Sequence, residues 1–432
     1  MDQLIEKLYS AYRQSYSVTT DSRQITPGCI FFAFKGESFD GNAFAPQALE
    51  QGAAYCVISN PQYRVDERCL VVEDVLAVLQ QLARRHRKEL CIPFVGITGT
   101  NGKTTTKELV NAVLSRRFRT HATQGNHNNH LGVPLTILEI GPQVQLAIVE
   151  MGANHPGEIE MLCSMSDPDC GLITNCGKAH LEGFGSFQGV VKTKTELYRH
   201  IDNKGGLLFV NADSNVLMEE KSRLMQAQTK TYGQKEGVQY RGSLIGSDPY
   251  MRFYFEVGDN VYTVQSHLLG GYNFDNAMAA VAVGLHFGVE PFDIKEAIEA
   301  YEPSNKRSQY KKTEHNALFL DCYNANPSSM KVSIENFARL KAAHKVVMLG
   351  GMKELGNDSE KEHQEVVRLV EESQFEVVVL VGPEFKGLSQ KAVWFEDSEK
   401  AVAYFKMNPL KESTILLKGS NGSKMWLLEQ VL

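Results

Sequence analysis

From Pro93 onward, short apolar runs alternate with stretches whose apolar positions recur at helical spacing. PFVGIT, QLAIVEMG, GLITNC and GLLFVNA read as buried strands, and KTTTKELVNAVLSRRF reads as a helix. Strands alternating with helices indicate a parallel sheet covered by helices. HLLGGYNFDNAMAAVAVGLHFG closes this stretch with a helix rich in small residues. After Tyr301-Glu302-Pro303 the pattern restarts. ALFLDCY, KVVMLGG, FEVVVLVG, AVWFED and STILLKGS are its strands; SMKVSIENFARLKAA and SEKEHQEVVRLVEESQ are its helices. A second open α/β sheet is expected there.

Upstream of Pro93 the pattern is more broken. Leu4, Ile5, Leu8 and Tyr12 recur at helical spacing. The Pro27-Gly28 turn precedes a strand at Ile30 to Phe34, and AAYCVIS reads as another. The charged run RRHRKEL (84 to 90) ends a helix leading to the next domain. The expected organisation is α/β with three domains: residues 1–84, 85–303 and 304–432. At roughly 150 residues per domain, the 432 residues agree with that division.

Charge and composition exclude several classes of protein. A formal net charge of −6 disfavours a nonspecific binder of nucleic acid or membrane surfaces. With 43% hydrophobic and 22% charged residues, the chain is neither disordered nor fibrous. Apolar runs such as Val377 to Val381 fall far short of the ~18 residues of a membrane span. The start, MDQLIEKLYSAYRQSY, lacks the basic and apolar regions of a signal peptide. Eight cysteines without a C-x-x-C pair read as reduced thiols in a cytoplasmic protein.

Between the strand PFVGIT and the helix that follows lies Gly96-Ile-Thr-Gly-Thr-Asn-Gly-Lys-Thr-Thr105. A glycine-rich turn from strand into helix offers backbone N–H groups to phosphate oxygens. Thr98, Gly99, Thr100, Asn101, Gly102 and Thr105 form the cradle. Lys103 reaches the terminal phosphates, and the Thr104 hydroxyl is placed to ligate Mg²⁺. The usual pattern has a glycine where Ile97 stands. ATP is the expected ligand. Glu150 ends the strand QLAIVEMG, where a carboxylate beside the loop could serve as a metal ligand. His180 lies past another strand end. On spacing alone, Lys192 and Lys194 of VVKTKTELY read as a solvated charge pair.

Taken together these segments resemble the Mur ligases, ATP-dependent amide-forming enzymes of peptidoglycan assembly, and the resemblance covers nearly the whole chain. GITGTNGKTTTK resembles the family's ATP loop. VEMGANHPGEI and ITNCGKAHLEGFGS are similar to its metal-binding segments. GGYNFDNAMAA resembles its adenine-contacting segment, and DCYNANPSSM its D-x-Y-N-x-N-P segment. QGNHNNHLGVPLTIL, YNANP and TTDSRQITPGCIFFAFKGESFDGNAF are most like the member that joins D-alanyl-D-alanine to UDP-N-acetylmuramoyl-tripeptide.

The resemblance implies a small α/β UDP-binding domain, a central parallel-sheet phosphate-loop ATPase domain and a C-terminal Rossmann-like domain. It implies that Thr104 and Glu150 ligate one Mg²⁺ and His180 a second. Lys194 aligns with a lysine that the family carries as an N-carbamate, an anionic ligand where a free ammonium would repel the metal. Asn273 and Asn276 would contact adenine, Arg307 the nucleotide phosphates, and Asp321 the ribose or hinge. Asn126, Asn128 and Asn129 would line the muramoyl-peptide side; Ser22, Arg23 and Lys35 would hold the uridine diphosphate. The partners implied are the UDP-linked tripeptide and D-alanyl-D-alanine, with the protein a monomer hinged near residues 84 and 303.

Four positions depart from the family pattern: Tyr272 for His, Gly351 for Asp, Asn421 for Arg and Asn42 for His. Three alternatives stand beside the main reading. They are the preceding ligase, which adds the third stem residue, a folate polyglutamate ligase, and a nucleotide-dependent binding protein without catalysis. No D-N-P-R segment of the preceding ligase is present.

Overall fold

A computed structural model describes the chain at residues 1–37, 39–303 and 308–432. Three sheets follow one another along it. The first has four parallel strands in chain order: Val18–Thr19, Ile30–Phe32, Tyr55–Ile58 and Cys69–Val71. The helix Asp2–Ser15 turns Ile5, Leu8 and Tyr12 inward. The hinge expected near residue 84 falls instead inside the continuous helix Val75–Glu89, capped by the Asp74 side chain on the Ala77 N–H. That helix packs against Asp2–Ser15 and also against Gly132–Leu138 and Glu158–Ser166 of the next unit. One apolar core therefore runs from Ile30 and Val57 through Leu79 and Leu82 to Phe94, Ile137 and Val149.

The second sheet has nine strands. Its parallel part holds Thr120–Ala122, Leu146–Glu150, Phe94–Thr98, Cys170–Ile173, Leu207–Asn211, Gln228–Gly233 and Tyr240–Ser247, in that spatial order. Every residue of Phe94–Thr98 and Leu146–Glu150 is buried, as expected of strands covered on both faces. Thr120–Ala122, Gln228–Gly233 and Tyr240–Ser247 did not stand out in the sequence, nor did the last two strands, Tyr250–Val257 and Asn260–Leu269, which add antiparallel. Helix Lys103–Leu114 packs on helix Phe274–His286. Their approach is close: a Cβ on Gly284 would lie 2.4 Å from Val113.

The third sheet has six strands, five parallel and an antiparallel edge strand, Gln309–Lys312. Its order places Thr414–Lys418 between Ala317–Asp321 and Lys345–Gly350. The carboxyl ends of these three strands thus share one edge, where open α/β sheets bind ligands. All eight cysteines are free, and no helix among the described residues is long and apolar enough to cross a membrane.

Candidate active site

The second and third units meet around a cleft of about 690 Å³. Its floor is the turn between Phe94–Thr98 and Lys103–Leu114. Gly99 and Gly102 have φ of +144° and +78°, which side chains rarely adopt. A Cβ on Gly99 would lie 2.0 Å from Thr174 Oγ1, and one on Gly102 2.5 Å from Asn276 Oδ1. Thr174 Oγ1 donates to the Asn101 carbonyl at 2.6 Å. Asn175 holds the same residue twice, accepting from its N–H and donating to its carbonyl, each at 3.0 Å. Neither Thr174 nor Asn175 stood out in the sequence; their signal was polar residues directly after an apolar strand. Lys103 Nζ donates to the carbonyls of Gly99 at 2.8 Å and Thr100 at 3.0 Å. Thr100 to Thr105 line the cleft. The Thr98 side chain does not: it is buried and donates to Met151 O.

Glu150 is 1% exposed. Its Oε1 accepts from Asn128 Nδ2 at 2.7 Å, while Oε2 is buried without a hydrogen-bond partner among the described residues. The Thr104 side chain lines the same cleft. An unpaired buried carboxylate oxygen beside a phosphate cradle suits Mg²⁺, which takes few protein ligands and completes its shell with water and phosphate.

Ser186 caps the helix Phe187–Lys194, whose last turn buries Lys194 to 2% exposure. The solvated pair suggested by spacing is thus overturned at Lys194. Its Nζ donates to the carbonyl of cleft-lining Ala153 at 3.3 Å and lies 5.3 Å from the Phe184 ring centre. Burial first, and the charge of Lys103 second, push the Lys194 amine down to about 7. His180, with left-handed φ of 50°, pairs through Nδ1 with Glu354 of the third unit. Burial lowers its pKa, and Glu354 opposes that shift.

The other expected residues divide into those at the cleft and those away from it. Asn273 and Asn276 line it in a buried chain: Thr106 Oγ1 donates to Asn276 Oδ1, Asn276 Nδ2 to Asn273 Oδ1, and Asn273 Nδ2 to Leu269 O. Tyr272 joins them, its hydroxyl 3.0 Å from Ser308 Oγ. Asp321 lines the cleft and accepts from the buried Lys418 at 2.5 Å, a partner the sequence did not suggest. Asn126, Asn128 and Asn129 all line the cleft, but Asn129 Oδ1 is occupied with the N–H groups of Leu131 and Gly132 at the start of a helix. Ser22, Arg23 and Lys35 do not reach the cleft. The Arg23 guanidinium is 87% exposed and paired with Asp21. Arg307 lies outside the described residues.

Besides Tyr272 and Ser308, several contacts among the described residues join the two walls. Asn101 and Asn326 pair through their side-chain amides, the closer contact at 2.8 Å. Lys178 Nζ donates to Glu362 at 2.7 Å, the Lys178 N–H donates to Ser328 Oγ at 2.9 Å, and His180 meets Glu354. Asn326 also caps the helix Pro327–Arg339 in a reciprocal arrangement with Ser329. The third unit thus turns the start of a helix toward the phosphate loop.

Known proteins share both sequence and shape with this arrangement. Three family models match in succession: Mur ligase family, catalytic domain, over residues 14–87; Mur ligase middle domain over 97–284; and Mur ligase, glutamate ligase domain, over 306–421. The UDP-N-acetylmuramoyl-tripeptide--D-alanyl-D-alanine ligase of Bacillus subtilis is 33% identical, over 95% of this chain and 91% of its own. The Escherichia coli ligase of the same name is 32% identical, over 95% and 92%. A crystal structure of MurF from Acinetobacter baumannii matches with a TM-score of 0.86 at 30% identity, covering 96% of this chain and 92% of that one. MurF ligase from Thermotoga maritima in complex with ADP matches with a TM-score of 0.84 at 28% identity, covering 96% of each. With its phosphate turn, its three sheets in this order and relatives matched over almost their full length, the chain belongs to the Mur ligase family.

Proposed function

We propose that the chain is an ATP-dependent ligase that joins D-alanyl-D-alanine to UDP-N-acetylmuramoyl-tripeptide in peptidoglycan precursor synthesis, working in the cytoplasm. The observation that carries this reading is the cleft itself. A glycine-bounded phosphate turn, a carboxylate with one unpaired oxygen and a buried lysine of depressed pKa meet the strand ends of a separate α/β unit. The first unit, residues 1–84, would bind the uridine end through Ser22, Arg23 and Lys35. Residues 85–303 would hold the nucleotide, and 304–432 the dipeptide.

ATP supplies the phosphoryl group that converts the tripeptide carboxylate into an acyl phosphate, with Mg²⁺ offsetting the phosphate charge. The amine of D-alanyl-D-alanine then attacks that carbonyl, loses a proton, and phosphate departs as the amide forms. No nucleophilic side chain is required. The protein's part is alignment and charge compensation. Lys103 would exchange the carbonyls of Gly99 and Thr100 for phosphate oxygens, with Arg307 adding a second cation. Thr104 and Glu150 would hold one Mg²⁺; His180 and Lys194, as its carbamate, would hold another. Carbamate formation adds a neutral amine to CO₂ with loss of a proton, and a depressed amine pKa supplies that neutral form. Asn273 and Asn276 would face adenine beside Tyr272, with Asp321 near the ribose. The contacts between the walls would keep water from the acyl phosphate.

Phosphate release measured with the UDP-linked tripeptide, with and without D-alanyl-D-alanine, tests the proposal. Release that requires the dipeptide is expected. Release with a single amino acid and the UDP-linked dipeptide would favour the preceding ligase. Folate-dependent release, or none with any acceptor, would overturn the assignment.

A further inference from the structure

The carboxylate of Glu150 treats its two oxygens differently. Oε1 is held by Asn128 Nδ2 at 2.7 Å; Oε2 is buried with no partner among the described residues. Asn128 is itself wedged in place. The Gly152 N–H donates to the Asn128 carbonyl at 2.8 Å, and a Cβ on Gly152 would lie 2.8 Å from Asn128 Oδ1. The backbone of Glu150 is tied as well, its N–H donating to Thr123 Oγ1 at 3.0 Å. The terminal torsion of a glutamate is otherwise soft, so an unrestrained carboxylate would sweep through many orientations.

We propose that Asn128 is a positioning residue for the divalent cation: it pins one oxygen of Glu150 so that the other stays aimed as a cation ligand, and it is not a contact to the muramoyl peptide. The inference rests on the reading that Glu150 holds Mg²⁺. Mg²⁺ demands near-ideal octahedral geometry, so a ligand oxygen fixed beforehand strengthens binding. Partners that orient a metal ligand are worth about 10- to 100-fold in metal affinity.

The test uses the full chain with ADP and Mn²⁺ as the spectroscopic probe, free Mn²⁺ being read by electron paramagnetic resonance. Asn128→Leu keeps the approximate volume and removes the donor. It should weaken Mn²⁺ binding about 10- to 100-fold and raise the Mg²⁺ needed for half-maximal turnover, leaving KM for the UDP-linked tripeptide unchanged. Should Asn128→Leu fail to fold, Gly152→Ala serves instead, because its methyl group displaces the same amide. Unchanged Mn²⁺ affinity with a raised KM for the UDP-linked tripeptide would overturn the proposal and make Asn128 a substrate contact. Glu150→Gln separates the two layers. Wild-type Mn²⁺ affinity in that variant would defeat the cation reading itself. Loss there, with none in Asn128→Leu, would defeat only the positioning role.

Discussion

Lys194 shows how far one side chain's chemistry depends on residues distant in sequence. Nothing local in VVKTKTELY marks it out from Lys192, yet Lys194 is buried against a carbonyl forty-one residues earlier. Resemblance could name it; spacing could not. Lys194→Ala should be nearly inactive, and bicarbonate or a short-chain carboxylic acid should partly restore phosphate release by refilling the vacated volume with oxygens. Full activity without added acid would exclude a metal-bound carbamate. The pH sense follows from the lowered pKa. The neutral amine becomes the major form as pH rises through about 7. After CO₂ is stripped, recovery of wild-type activity at fixed dissolved CO₂ should therefore be faster at pH 8 than at pH 6. Lys103, by contrast, was legible from its neighbours alone, because strand, glycines and helix are contiguous. Lys103→Ala should abolish turnover with an unchanged circular dichroism spectrum, since one lost cationic contact to a transferring phosphoryl group costs several kcal/mol. Near-normal phosphate release would sink the phosphate-loop reading.

Among the elements, central parallel strands such as Phe94–Thr98 and Leu146–Glu150 were readable because complete burial leaves nearly unbroken apolar runs, whereas the less buried Thr120–Ala122, Gln228–Gly233 and Tyr240–Ser247 were not. The antiparallel pair Tyr250–Val257 and Asn260–Leu269 carried a weaker signal. Met251, Phe253 and Phe255 alternate with less buried residues, as do Val264, Ser266 and Leu268. That period of two is the mark of a half-covered sheet, and single charged residues within it disguise the run. The two-residue strand Val18–Thr19 offers no pattern at all. The phosphate turn combines positive φ with tight clearance, so Gly102→Ala should suffer twice. It would strain the left-handed backbone by about 1 kcal/mol and force the Asn276 amide aside. Calorimetric titration with ADP should show at least a tenfold loss of affinity, roughly the effect of 1.4 kcal/mol. Unchanged ADP binding would mean that the turn does not cradle phosphate.

At the scale of the molecule, the three-part division was legible, but the way the first joint is packed was not. The charged run after residue 84 marked a helix end, whereas that helix is clamped between two units and leaves no free linker there. The second and third units are held mainly by polar contacts: Asn101 to Asn326, Lys178 to Glu362 and His180 to Glu354. Partly exposed ion pairs are worth about 0–1 kcal/mol each, so these two pairs add little to holding the walls together. Replacing Glu354 and Glu362 together with Ala should leave the radius of gyration in small-angle X-ray scattering unchanged; an enlarged radius would show that these pairs keep the cleft shut.

The apolar core shared by the first two units has a thermal consequence. Where side chains from two sheets interdigitate in one core, neither sheet can melt while the other stays intact. The third unit has apolar cores of its own, which Leu269 alone of the described buried second-unit residues enters. Differential scanning calorimetry should therefore resolve two endotherms rather than three, the larger covering the first two units and the smaller the third. An isolated fragment of residues 1–84 would expose Leu79 and Leu82 to water and should aggregate, while residues 308–432 expressed alone should melt cooperatively.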